Sequence, residues 1–286
     1  MHRKHQIVIG WIDPGVVDGM FALSMMEIFA KRAHLISNIL RIEAGGLLSR
    51  ARNEIAANFM DSDADWLFMI DSDEAITVAD FDKLVETAHD KLRPFVAGVY
   101  YGAANGPDIY PEPVPLIFRD AEGNKYFPIT EYPENAVIPI TAAGTGCILV
   151  HRSVLAAIQE RATEHQGPRW CWFLDLPVGQ QWFGEDMYFC RQVHDLGFPM
   201  VAHTGVQLLH RKRYWLGRKH FERFQFLTRE DRSVLAPADK DNNVSIESLR
   251  EELAAAIEAD DKIKVNELRN QITQLHDLEH ETREVN

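Results

Sequence analysis

The chain has 286 residues, a formal charge of −13 and a sequence pI near 5.4. This balance argues against a surface built to track nucleic-acid phosphates, which needs a basic footprint, although a local basic patch stays open. A hydrophobic content of 46% with six Trp residues supplies a packed core and excludes disorder as the main state. Cys147, Cys171 and Cys190 are too few and too scattered for a disulfide scaffold or a zinc ribbon, so a reducing cytoplasm is the expected compartment.

The opening "MHRKHQIVIGW" begins with charges, but Gly10 and Asp13 break its apolar run before it reaches signal-peptide length. No stretch approaches the roughly 18–20 apolar residues of a membrane span, so a soluble protein is expected. "QIVIGWI" (6–12) reads as a buried first strand, left through the loop "DPGVVDG" (13–19). A helix over 20–33 and a strand over 35–44 complete a strand–helix–strand unit, which closes right-handed and parallel. A second helix covers 47–63, with Ser49 near its start, and "WLFMI" supplies the third strand. Over 77–92 a third helix has Thr77 as N-cap and Asp80 in its first turn, and a fourth strand spans 94–102. Four strands alternating with three helices predict an α/β fold with an open, doubly wound, mostly parallel sheet.

The rhythm then changes. Residues 105–140 hold seven of the thirteen prolines and a hairpin turning near Gly123. A glycine loop, a strand and a helix follow over 142–162, and a loop, a helix and a strand over 181–215, with Gly197 at the helix end. Residues 244–286 carry 11 Asp/Glu and 5 Lys/Arg and no Gly, Pro or aromatic residue. Two apolar stripes, Ile246, Leu249, Leu253, Ile257 and then Leu268, Ile272, Leu275, Leu278, predict a helical hairpin or short coiled coil. The expected organisation is a domain over 1–237 and a helical assembly segment over 244–286, a route to a homo-oligomer; a helix packed on its own domain is the alternative.

The chemistry concentrates where "DWLFMIDSDE" brings Asp71, Asp73 and Glu74 to the end of a buried strand. In open α/β sheets ligands lie beyond the carboxyl ends of the strands. Residues two apart in extended chain face the same way, so Asp71 and Asp73 converge on one hard divalent cation, completed by substrate phosphates. The plainer reading is a turn into the next helix. In "FGEDMYFCRQVHDLGF", Glu185 and Asp186 open a helix, where acids suit the dipole whatever the function; an acid aimed into a pocket is alternatively a general base. "VQLLHRKR" ends a strand with His210 and then Arg211, Lys212 and Arg213. A histidine there can complete an oxygen-rich shell, better for Mn²⁺ than for Mg²⁺, and the basic run can compensate a departing diphosphate. His203 is a rival on the same strand. Arg52 and Asn53 offer charge and donors to phosphates, or are ordinary helix residues. "GTG" at 144–146 lets a backbone approach a ligand, but it lacks the spacing of a Walker loop, and no GxGxxG follows the first strand.

Taken in order, "SRARNEIAANF", "DWLFMIDSDE", "GTGCILVHRSVL", "GEDMYFCRQVHDLGF" and "VQLLH" resemble the metal-dependent GT-A-fold glycosyltransferases, especially their small bacterial and phage members, over roughly residues 5–215. The resemblance implies a Rossmann-like GT-A fold and an Asp-x-Asp motif in Asp71, Ser72 and Asp73. Asp71 would lie near the nucleotide ribose and Asp73 on the metal, Mn²⁺ or Mg²⁺. It also implies His210 as a further metal ligand alongside Asp71 and Asp73, and Arg52, Ser72 and Arg213 as donor-binding residues. Gly144, Thr145 and Gly146 would line the sugar cleft, Asp13 and Pro14 would touch the base, and Asp186, beside Glu185, would be the base of an inverting member. The first loop "IDPGVVDG" departs from the common Pro-x-Tyr-Asn type, so a UDP-sugar is favoured only loosely.

The implied reaction is a single in-line displacement that moves a sugar from a nucleotide-sugar to an acceptor hydroxyl on a protein or glycan, with a modified base on phage DNA disfavoured by charge. Two rivals stand beside it. A sugar-nucleotide nucleotidyltransferase should carry a Gly-rich, Arg- and Lys-bearing first loop, which "IDPGVVDG" is not. A non-catalytic carbohydrate-binding protein on the same fold would have no need of Asp71, Asp73, Asp186 and His210 together.

Overall fold

A computed structural model of the chain describes residues 6–44, 46–104, 112–121, 125–162, 168–178 and 181–212, with the single positions 218, 255, 264 and 268. The chain divides into two compact units, Met1–Trp215 and Leu216–Asn286, and every element below belongs to the first. The helical segment expected over 244–286 and the turn at Gly123 lie outside the described residues, as does Arg213.

In chain order the first unit begins β1 (Ile7–Asp13), α1 (Gly19–Arg32), β2 (Ile36–Glu43), α2 (Leu48–Met60), β3 (Trp66–Ile70), β4 (Glu74–Ala75), α3 (Val78–Thr87) and β5 (Phe95–Val99). Pairs of short strands follow: β6 (Tyr101–Ala104) with β7 (Glu112–Pro115), and β8 (Ile117–Ala121) with β9 (Lys125–Pro128). The chain continues through β10 (Val137–Pro139), β11 (Ala142–Ala143), β12 (Cys147–His151), α4 (Arg152–Arg161), the hairpin β13 (Leu176–Val178) and β14 (Gln181–Phe183), α5 (Glu185–Asp195), β15 (Met200–Gln207) and β16 (Leu209–His210).

Seven strands form the central sheet in the order β10-β15-β5-β12-β3-β1-β2. Five of them run one way, while β12 and β10 run against their neighbours, so the sheet is mixed but mostly parallel in direction. Alternating strand residues face two separate cores. Val8, Leu67, Met69, Ile148 and Val150 pack against Ile55 and Phe59 of α2, Leu155 of α4 and Phe189 of α5. Ile7, Ile9, Trp66, Phe68, Ile70 and Leu149 pack against Phe21 and Met25 of α1 and Phe81 and Leu84 of α3. A helix–sheet–helix sandwich results, and it explains why "WLFMI" is apolar at every position: both of its faces are covered. Each such fully buried side chain contributes about 1.5–3 kcal/mol, and together they fix the strand ends relative to one another.

The helix caps follow local chemistry. Asp18 accepts the Met20 N–H at the start of α1, and Thr77 accepts the Asp80 N–H at the start of α3. Ser49 lies inside α2 rather than at its cap, which is Leu47. The helix expected over 77–92 ends at Thr87, because His89 Nδ1 takes the N–H groups of Lys91 and Leu92 and Pro94 disfavours helical geometry at Arg93. The strand expected over 94–102 breaks at Tyr100, where the chain leaves β5 to pair with β7.

Candidate active site

The carboxyl ends of β1, β3 and β5, the antiparallel start of β12 and the start of α5 meet along one rim. Asp71, immediately after β3, donates its N–H to the Gly146 carbonyl (2.9 Å). The next residues are not extended. Glu74 N–H bonds the Asp71 carbonyl (3.1 Å), so 71–74 is a β-turn, and the two aspartates do not face the same way as strand alternation would have them. The acids thus turn the chain, as the plainer reading expected, and the turn sends Asp71 and Asp73 to different partners instead of bringing them together.

Asp71 faces Arg52. The Arg52 Nη2 lies 3.1 Å from Asp71 Oδ1, its Nε 3.3 Å from Glu185 Oε1, and its Nη1 3.4 Å from the Thr145 carbonyl. Arg52 is buried on α2, so this one guanidinium ties the end of β3 to the start of α5. Burial alone would lower its pKa, but the charges of Asp71 and Glu185 outweigh that and raise it.

Asp73 faces His210. The two-residue ladder of β16 with β4 sets His210 opposite Glu74, and the Arg211 N–H donates to the Asp73 carbonyl (2.9 Å). The Nε2 of His210 lies 3.4 Å from Asp73 Oδ2, and its Nδ1 lies 2.8 Å from the Tyr101 carbonyl. Burial pushes the Asp73 carboxyl up, but the positive charge gathered beside it, that of Lys212 included, outweighs this, so its pKa is lowered. Arg211 is committed to Asp18 (2.7 Å). His203, on β15, accepts the Gly205 N–H at Nδ1 (3.1 Å) and takes no part in this group.

Behind these residues lies a buried layer that composition alone does not reveal. Glu74 has no exposed surface, and among the described residues neither of its carboxylate oxygens has a hydrogen-bond partner. Burial, then the charges of Asp71 and Asp73, hold its pKa well above the usual carboxylate range. The Tyr100 hydroxyl accepts the Gly146 N–H (3.0 Å), and its ring meets the His210 ring edge-on, centroids 5.4 Å apart. Glycine is required at both ends of "GTG" by close approach. A Cβ on Gly146 would collide with Glu74 Oε1 and come within 2.8 Å of Asp71 Oδ2, and one on Gly144 would collide with the Tyr100 hydroxyl. Thr145 is buried between them, its hydroxyl unpartnered among the described residues. The only sequence signal for Tyr100 was its place at the end of a buried strand.

At the start of α5, Asp186 is partly buried and accepts the N–H of Met187 (2.7 Å). Burial and the neighbouring Glu185 push its pKa up to about 6, the range suited to a base working near neutrality.

Other sequence candidates sit differently. Asp13, at the end of β1, is buried and bonded to the Arg41 guanidinium (2.7 and 2.8 Å), Trp11 Nε1 (3.1 Å) and the Gly15 N–H (2.8 Å). The Arg41 bond holds its pKa low. Pro14, next to it, is exposed. Ser72 contributes its carbonyl to the Asp18 N–H (3.1 Å). Asn53 is buried and saturated: its amide donates to the Ser49 and Phe173 carbonyls and accepts from the N–H groups of Trp172 and Phe173, so it pins the 172–173 segment and is not free to meet a phosphate. A cleft of about 320 Å³ opens at the same rim between the end of β2 and the start of α2, lined by Glu43, Leu47, Arg50 and Glu54. A larger cavity of about 490 Å³, lined by Gln6, Asn38 and Asp63, lies at the opposite ends of the strands, away from these carboxylates.

A divalent cation fits part of this rim. At metal–ligand bonds of about 2.0–2.2 Å, neighbouring ligands stand about 3–3.5 Å apart, and the Asp73 Oδ2 to His210 Nε2 separation of 3.4 Å falls in that range. No three His, Cys, Asp or Glu side chains among the described residues converge in this way, since Asp71 is turned to Arg52. The protein thus offers a two-ligand half-site that substrate oxygens would have to complete.

No family model matches the chain, and no curated protein matches it in sequence. Among solved structures it is similar to "A197 from STIV", with a TM-score of 0.46 and 19% identity over 73% of this chain and 86% of that one. It is also similar to GalNAc-T7, a structure containing UDP, GalNAc and Mn²⁺, with a TM-score of 0.42 and 14% identity over 74% of this chain and 44% of that longer one. Among the described residues no helix is long and apolar enough to cross a membrane.

Proposed function

We propose that the chain is a metal-dependent glycosyltransferase of GT-A type, which transfers a sugar from a nucleotide-sugar donor, UDP-linked by preference, to an acceptor hydroxyl with inversion. The observation that carries the reading is the double ion pair of Arg52, which joins the carboxylate after β3 to the acids that open α5. The pairing of Asp73 with His210 adds the metal half-site to the same rim.

Asp73 and His210 are the residues that would hold the cation, Mn²⁺ or Mg²⁺, and the ion's contribution is positive charge against the diphosphate of the donor. The chain's own residues do the rest. Asp186, with a pKa near 6, is largely ionised at neutral pH and removes the proton of the attacking hydroxyl. Arg52 holds Glu185 and Asp71 in place, and so fixes the start of α5 against the donor side. The absence of side chains at Gly144 and Gly146 lets Tyr100, Glu74 and Asp71 pack directly against the loop that would line the sugar side of the rim. Asp13 and Pro14 edge the same rim at the base side.

The test is a panel of sugar nucleotides with Mn²⁺, read by donor hydrolysis and by intact mass of candidate glycan and protein acceptors. Asp186→Asn should abolish transfer while leaving donor binding within about twofold, and Asp73→Ala should weaken Mn²⁺-dependent donor binding at least tenfold. Full turnover of Asp186→Asn would refute Asp186 as the base, and failure to bind any nucleotide sugar would refute the class.

A further inference from the structure

The proposed metal half-site already has a positive charge in it, and the charge belongs to the protein. Lys212 Nζ lies 2.6 Å from His210 Nε2. On the other side of the ring, Nδ1 lies 2.8 Å from the Tyr101 carbonyl, which can only accept. The ring proton therefore sits on Nδ1, and the lone pair of Nε2 points outward. An ammonium can only donate, so Lys212 donates to that lone pair. Asp73 Oδ2, also an acceptor, is 3.4 Å from the same nitrogen. Two acceptors at this distance repel unless a cation serves both, and the charge of Lys212 acts on Asp73 as well.

We infer that Lys212 is an internal counter-cation of the half-site formed by Asp73 and His210, and that a divalent metal must displace it to bind. The inference rests on the proposed metal site and goes beyond it, because it sets the affinity of that site. The neighbouring chain is suited to such an exchange. Arg211 is fixed by its N–H on Asp73 and its guanidinium on Asp18, so the backbone need not move. Lys212 itself is exposed, whereas the His210 side chain is only 9% accessible. The lysine can swing into solvent on its four-carbon stem without opening the fold, and the ligands it leaves are already in position.

The experiment is a titration of MnCl₂ into the full-length chain, without and with saturating UDP to supply the missing oxygens, read by the electron paramagnetic resonance signal of free Mn²⁺ against a protein-free blank. Wild type is compared with Lys212→Met, Lys212→Arg and Asp73→Asn. Losing a competing charged hydrogen bond should tighten Mn²⁺ binding by Lys212→Met about three- to tenfold, while Lys212→Arg, which keeps the charge, should stay near wild type and Asp73→Asn should bind far more weakly. Circular dichroism establishes that each variant is folded. If wild type binds Mn²⁺ through Asp73 but Lys212→Met binds it equally or less tightly, Lys212 is no competitor and the inference is overturned while the metal site stands. If wild type and Lys212→Met both leave the Mn²⁺ signal at the value of the protein-free blank, with UDP as without it, the metal site and the inference fall together.

Discussion

Replacing Arg52 with Met removes the cation that Asp71 and Glu185 share while preserving most of the aliphatic volume in α2. A unit charge pair near 4 Å is worth about 4 kcal/mol at an effective dielectric constant of about 20. The pairs to Asp71 (3.1 Å) and Glu185 (3.3 Å) thus supply roughly 8–10 kcal/mol of gross attraction. Desolvating a buried guanidinium removes several kcal/mol of that. The orphaned carboxylates recover part of the remainder, because the Asp71 side chain is 30% and the Glu185 side chain 15% accessible to water. The expected net loss is about 3 kcal/mol for Arg52→Met. Arg52→Lys, which reaches one carboxylate but lacks the fork to hold both, should lose about half as much. Urea denaturation at pH 7, followed by tryptophan fluorescence, measures both. A loss below about 1 kcal/mol for Arg52→Met, with an unchanged m-value, would show that the two ion pairs barely outweigh desolvation and that Arg52 does not organise the rim.

Asp186 gives a prediction opposite in sign to that for most paired acids. Its folded pKa, about 6, is raised above the ordinary value of 3.8, so between those values the folded state holds the extra proton and stability falls as pH rises through the window. Asp186→Asn should therefore be more stable than wild type at pH 8, by on the order of 1 kcal/mol, with the gain vanishing near pH 4; a pH-independent difference would refute the shift. In wild type, sugar transfer should rise with pH through about 6 as the same carboxyl ionises. Asn53→Ala deletes four hydrogen bonds, three of them buried, and strands the N–H groups of Trp172 and Phe173, so thermal or urea unfolding should reveal a loss of about 3 kcal/mol. Asn53→Asp, which keeps the acceptor but not the donor, should recover only part of it.

Much of the architecture was legible because burial leaves a pattern. The strands β1, β3 and β5 are runs of apolar residues covered on both faces, and Thr77 marks the start of α3 as its hydroxyl dictates. Strand direction was not legible: "CILVH" has the same apolar run whether it lies parallel or antiparallel to β3, and only its long-range pairing of Cys147 with Ile70 reveals the reversal. The site divides along a similar line. That acids gather at the end of β3 is a local fact of sequence, whereas the β-turn at 71–74, which parts Asp71 from Asp73, depends on a backbone bond that residue type does not specify. Asn53 looked like a phosphate donor because its partners lie about 120 residues away at Trp172 and Phe173. Asp13 looked free for the same reason, its carboxylate being held by Arg41 on the neighbouring strand.

The ladder of β16 with β4 is two residues long, yet it carries His210 back across the molecule to Glu74. Asp73 and His210 are separated by a long stretch of chain whose closure entropy must be met before the pair can form. A chain cut short of Leu209 would keep Asp73 without the imidazole that stands against it. The ladder thereby joins only once everything between β4 and β16 has been made.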